Sequence, residues 1–444
     1  MVLGGFALLA FGSIGLVWGQ EELTPTPVDS SSSAVLDQAD EVLKEVSRLA
    51  GLPPKTPVKK ELKSRDFFSR YFLDLLQQQY PPEKKAALEK AYVFFGFLAP
   101  GTDLVESTQA SMLKNVQGLY DPEAKTLYLA DWVGDDLQAT VLAHELTHAL
   151  QDQYFDLRVY VNQERDASMD YQFAHDSVME GQAVAIALNY TLRDKGKDFT
   201  QLANIADVTR LSNKLDESGQ RAFGRKTVLP DVADFPYVYG TAFLQKYVEV
   251  YGWQGMKYLF EHPPTSTHQI LHPETFFPRR RNPIRVAVED LSRGALKGRS
   301  RIWGDSLGEY GLFLVLGQSI PTEQAWGAVS GWRGDRYQLY EEAKSGNLTG
   351  VGYAIFENEV SAGKFFDAAK SMLLLKYHVD PAGSPKSDPF RLSLGGTGLE
   401  VFAERRGKRV VLIEGTRTAE TTKVRTALWE MKRGAKKIRA ETSE

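Results

Sequence analysis

The chain of 444 residues contains no cysteine. This excludes disulfides, thiolate metal sites and a lipidated cysteine anchor. Any metal it holds must be bound through His and carboxylate side chains. Histidine is itself scarce, with seven in the whole chain. Neither sign of charge dominates: 53 Lys and Arg against 57 Asp and Glu leave a net charge of −4. Without a basic block there is no case for nucleic acid as a partner. Long apolar runs are also rare. The exception is the uncharged stretch 1–19, MVLGGFALLAFGSIGLVWG, which a charged, Pro-containing linker at 20–33 follows. It reads as a signal peptide, with Gly19 at the cleavage point before Gln20, although no Lys or Arg precedes it. It is also just long enough for an uncleaved anchor. The expectation is an exported protein, secreted or in the cell envelope, touching a membrane only if 1–19 is retained.

What is present is ordinary for a folded protein. Hydrophobic residues make up 43% and charged residues 25%, and the length suits two or three domains. From 34 to 50, Val35, Leu36, Ala39, Val42, Leu43, Val46 and Leu49 recur at helical spacing before Gly51 and Pro53. Helical patterns continue at about 60–80, 83–98 and 102–115, with Phe67, Phe68, Tyr71 and Phe72 as core aromatics. Two β-type runs, Val116–Tyr120 and Thr126–Ala130, flank a turn containing Pro122 and predict a hairpin. Helices are expected at about 136–153, from Ser168 to Leu192 and from Gly240 to Tyr251, with a polar, mixed stretch at 194–235. After about 300 the order strand, helix, hairpin, helix appears, through Val351–Phe356, Ala362–Leu375, Leu399–Glu414 and Thr422–Lys432. The predicted class is α+β: a mainly helical domain with a small hairpin or sheet at 116–300, a helical region at 34–115 before it, and a smaller α+β domain at 301–444.

The most informative feature is His144-Glu145-Leu146-Thr147-His148. Two His four apart lie a turn apart on one helix face, so both imidazoles can reach one metal. A Glu beside the first can take a proton from water at that metal. The helix is otherwise apolar (Val141, Leu142, Leu146, Leu150), which argues against a plain solvated face. A catalytic zinc has three protein ligands and an open fourth position. With no cysteine, the third is a His, Glu or Asp. Glu180, in Val178-Met179-Glu180-Gly181-Gln182-Ala183, is the preferred candidate, with Glu164, Asp166, Asp170, Asp176 and His175 as competitors. Small Gly181 and Ala183 would let its helix pack closely on the motif helix. His268 and His272 also lie four apart, but Pro273 ends that helix at once and no carboxylate occupies the motif position between them. They suit a structural or substrate-binding role better than a second zinc.

The strings His144–His148, Glu180-Gly181-Gln182-Ala183 and Tyr237-Val238-Tyr239-Gly240, in that order after a hairpin, resemble the gluzincin branch of the zincin metallopeptidases, related to thermolysin and the aminopeptidases. The resemblance covers about 116–275. The string Ser266–Pro273 is similar to one in uncharacterised bacterial proteins assigned as metallopeptidases. The resemblance implies a zincin-like domain that binds Zn2+ through His144, His148 and Glu180. It implies hydrolysis of a peptide or protein substrate, with Glu145 as general base and Tyr237 steadying the transition state. Tyr239 is the nearest rival for that last role. Backbone at Gln117–Tyr120 would then pair with an extended peptide. Where some gluzincins carry an Asp four residues after the ligand Glu, this chain has Val184. Asp176 or Asp152 is expected to stand in as partner of a ligand His. The competing expectation is a non-catalytic zinc-binding assembly protein, against which the intact Glu145 argues. A hydrolase of non-peptide amides is a third.

Overall fold

Side-chain caps set where several helices begin. Ser64 accepts a hydrogen bond from the Phe67 amide, Asp103 from Glu106 and Ser168 from Tyr171. Each satisfies an amide that the helix itself leaves unpaired. The computed structural model describes residues 32–132, 135–161, 168–203, 229–380 and 388–431; the segment 1–19 and the candidates Glu164 and Asp166 lie outside them. The chain divides into two compact units, Met1–Asn282 and Pro283–Glu444. The fold class is α+β, as the pattern of elements predicts.

The first unit contains helices α1 (Ser32–Ala50), α2 (Arg65–Gln79), α3 (Pro82–Phe95), α4 (Leu104–Asn115), α5 (Asp135–Phe155), α6 (Met169–Leu192) and α7 (Leu229–Tyr251), with shorter helical turns between and after them. Its sheet has strands β1 (Lys59–Lys63), β2 (Gly118–Asp121) and β3 (Thr126–Ala130), in the order β1-β3-β2. β2 and β3 form the predicted hairpin, and β1 joins β3 in parallel. Two helical expectations change. The pattern at 60–80 splits, because Lys59–Lys63 pairs with β3 and the Ser64 cap starts the helix only afterwards. Helix α7 begins at Leu229 rather than Gly240, running through Pro236. A proline normally disfavours a helix interior, and so the sequence places the start too late.

Helix α5 is buried because its neighbours take different faces. Leu142, Ala143, Leu146, Ala149 and Leu150 share one core with Ala39, Val42, Leu43 and Val46 of α1, with Tyr120, Leu127 and Leu129 of the sheet, and with Ile186 and Ala187 of α6. Each fully buried Leu there contributes about 1.5–3 kcal/mol relative to exposure. A second core joins Phe68, Phe72 and Leu76 to Val105, Met112, Val116 and Leu119. Phe67 and Tyr71 pack against its margin.

Helices α6 and α7 cross closely. A Cβ added at Gly181 would lie 2.5 Å from the Gly240 carbonyl carbon, and one at Gly240 would strike the Ser177 carbonyl oxygen. Gly181 therefore serves the crossing with α7 and not, as its sequence context suggests, a crossing with the motif helix.

The second unit is built on a six-stranded antiparallel sheet in the order β4-β5-β6-β9-β8-β7. Its strands are β4 (Arg299–Asp305), β5 (Trp332–Glu342), β6 (Leu348–Phe356), β7 (Phe390–Leu394), β8 (Leu399–Arg406) and β9 (Arg409–Thr416). Helices α8 (Gly308–Gly317), α9 (Thr322–Val329), α10 (Glu359–Lys376) and α11 (Thr418–Glu430) complete it. The strand-helix-hairpin-helix order appears as expected, enlarged by β4, β5, β7, α8 and α9. Strand β5 escapes notice in the sequence because charged Arg333, Asp335 and Arg336 interrupt its apolar residues. Asp335 is nonetheless buried, accepting hydrogen bonds from Leu307 N, Gly308 N and Trp332 Nε1.

Candidate metal centre

Two turns of α5 and the middle of α6 bring three donors to one point. His144 Nε2 lies 3.0 Å from His148 Nε2, and Glu180 Oε2 lies 3.3 Å from each. A tetrahedral centre with metal–donor bonds of about 2.0–2.2 Å has edges of roughly 3.3–3.6 Å. The observed triangle is close to that and needs only slight opening. All three side chains are buried, and together they could hold a metal ion. Of the sequence candidates on α6, the group takes Glu180 and not Asp170, His175 or Asp176. Asp170 instead accepts from the amide and hydroxyl of Thr267.

The electrostatics fit a site made for a cation. Burial lowers the His148 pKa, but the Glu180 carboxylate reverses this and pushes it up to about 9. Burial raises Glu180, and the charge of His148 with hydrogen bonds from both His pulls it down to about 2. The Glu180 carboxylate thus favours positive charge at this point, which without a metal is met by a proton on His148.

The partner that orients His148 is Gln151, one turn along the same helix. His148 Nδ1 lies 2.8 Å from Gln151 Oε1. Gln151 Nε2 donates to the Met179 carbonyl and to Gln182 Oε1, which fixes which end of the amide faces the imidazole. Nδ1 must then carry a proton, so that loss of the one on Nε2 leaves that lone pair to ligate. At His148 that role falls to Gln151 and not to Asp152 or Asp176. Asp152 turns to Tyr120, Lys125 and the Leu157 amide. Asp176 is buried, and burial and then Glu180 push its pKa well up. A neutral amide one turn past His148 is not the acid that the resemblance leads one to seek.

Glu145 and Tyr237 stand beside the three donors. Glu145 Oε2 accepts the Tyr120 amide at 2.8 Å. Burial raises its pKa, against the opposing pull of His144, His148 and that amide. The Tyr237 ring stacks 6.0 Å from the His144 ring, 14° from parallel. Its hydroxyl is buried, and burial, then Glu180 and Glu145, raise its pKa. Tyr239 instead stacks on Phe235. His268 is buried and His272 half-buried, their rings 4.7 Å apart.

Residues 299–425 match the family described as Domain of unknown function (DUF8575), a stretch within the second unit. The chain matches no curated protein. Among solved structures it is similar to "a putative hydrolase with a novel fold" from Chloroflexus aurantiacus, at 19% identity and a TM-score of 0.34, over 56% of this chain and 90% of that one.

Proposed function

We propose that the chain is a zinc-dependent peptidase of gluzincin type. The observation that carries this reading is the convergence of His144 Nε2, His148 Nε2 and Glu180 Oε2 beside Glu145. Two imidazoles and a carboxylate, with no thiolate, are a donor set that suits a catalytic zinc. When bound, zinc supplies a Lewis acid that lowers the pKa of water in the open position toward neutrality. Glu145 takes a proton from the attacking water and passes it to the leaving amine. Tyr237 donates its hydroxyl proton in a hydrogen bond to the oxygen on which charge develops. Gln151 keeps His148 in the ligating tautomer. An extended peptide would pair along edge strand β2 without the Tyr120 amide, which is already spent on Glu145.

Digestion of a mixed peptide library by the zinc-loaded chain tests this. Native protein should cleave, and Glu145→Gln should bind zinc yet lose cleavage. Tyr237→Phe should keep its zinc and turn over about 100-fold more slowly. Cleavage by Glu145→Gln at the native rate would overturn the reading. Zinc bound by a native chain that cleaves nothing would favour an assembly protein instead.

The same reading includes export, on the uncharged run 1–19 and the linker after it. The mature chain should begin near Gln20, outside the cytoplasm. N-terminal sequencing that returns Met1 on soluble cytoplasmic protein would refute export, and Met1 on membranes would indicate the anchor.

A further inference from the structure

Tyr120 grips the motif helix at two points. Its backbone amide donates to Glu145 Oε2 at 2.8 Å, and its hydroxyl donates to Asp152 Oδ2, also at 2.8 Å. Glu145 and Asp152 are seven positions apart on α5, two turns along one face. The second grip is itself held: Asp152 is buried, and it takes the Lys125 ammonium at 2.6 Å on Oδ2 and the Leu157 amide at 3.0 Å on Oδ1. Strand β2 runs so near the helix that a Cβ at Gly118 would stand 3.1 Å from Val141 Cγ1 and 3.4 Å from Glu145 Cγ.

We propose that Tyr120 and Asp152 form a strap that positions Glu145, the Tyr120 hydroxyl and Asp152 carboxylate holding β2 in the place where its amide fixes one oxygen of the Glu145 carboxylate. Nothing in the metal triangle supplies this restraint, because His144, His148 and Glu180 set the ion and not the base. A base left to rotate would spend less time aimed at water, and misplacement by about 1 Å can cost on the order of 100-fold. Tyr120 and Asp152 are positioning residues: they act through Glu145 and touch no reacting atom. The role in turnover rests on the peptidase reading, whereas the restraint on Glu145 does not.

The test uses the full zinc-loaded chain with Tyr120→Phe, Asp152→Ala and the double variant. Amide hydrogen exchange at position 120 reads the strap directly. It should quicken by roughly 10-fold or more in each single variant while the amides of β3 keep their protection. Cleavage of a library peptide should show kcat lowered by about 10-fold to 100-fold, KM within about twofold, and zinc content unchanged. The double variant should be no worse than the worse single one, since both changes cut the same strap. A plain packing role would lower the melting temperature and leave the kcat of folded protein intact. Unchanged exchange at 120 in Tyr120→Phe overturns the strap, and faster exchange with unchanged kcat overturns its role in positioning. Should Asp152→Ala fail to fold, the near-isosteric Tyr120→Phe decides alone. If the native chain cleaves nothing, the peptidase reading fails, and exchange still shows whether Tyr120 and Asp152 hold Glu145.

Discussion

Gln151 shows how much one neutral side chain decides. Its amide oxygen meets His148 Nδ1 while its nitrogen is committed to Met179 and Gln182. The imidazole is thereby held in one tautomer and one orientation. Replacing Gln151 with Ala removes that restraint and leaves buried Nδ1 without a partner. Metal affinity should fall about 10-fold to 100-fold, the usual scale for losing such a partner. Competition with a chromophoric chelator would measure it, and an unchanged affinity would show that His148 needs no such support. His144, Glu145 and His148 are legible in the sequence because helix periodicity alone brings positions 144 and 148 to one face. Gln151 is not, because the demand it meets arises only when His148 is buried.

At the scale of elements, the crossing of α6 and α7 brings together what the chain keeps far apart. Gly181 follows Glu180, and Gly240 lies one turn after Tyr237; the two glycines let the backbones touch. A methyl at position 240 meets the Ser177 carbonyl, which is backbone and cannot swing aside. Gly240→Ala should therefore separate the helices and cost roughly 1–3 kcal/mol, as overpacking does. The displacement also draws Tyr237 from His144. Chemical denaturation together with turnover would check this. A Gly240→Ala protein of native stability and activity would mean that the crossing tolerates a wider gap. A glycine in a helix reads in sequence as a weak point; which helix it makes room for emerges only when a partner is in contact.

At the scale of the whole molecule, acid stability should carry the mark of a histidine outside the group of His144, His148 and Glu180. His175 is buried, its ring stacked 4.0 Å from Tyr171 and neither nitrogen hydrogen-bonded. Burial lowers its pKa to about 3, well below the 6.5 of an unfolded chain. The unfolded state then binds the proton more readily, so this contribution to stability is complete above about pH 6.5 and is lost as pH falls toward 3. His175→Phe keeps a ring and cannot be protonated, so its melting temperature should drop less between pH 7 and pH 4.5 than that of native protein. Parallel curves would assign the acid sensitivity elsewhere. Across both units, local periodicity and residue chemistry already carry the α+β class, most of the described helices, the β2–β3 hairpin, and the placing of His144 and His148 on one helix face. Tertiary structure decided what depends on residues distant in the chain. It brought Glu180, and not Asp170, His175 or Asp176, against the two His, added β1 to the sheet, turned Asp152 to Tyr120, and buried the charged strand β5. The physical reason is that a ligand, a restraint or a buried charge is defined by what surrounds it, and those surroundings exist only after packing brings separate segments into contact.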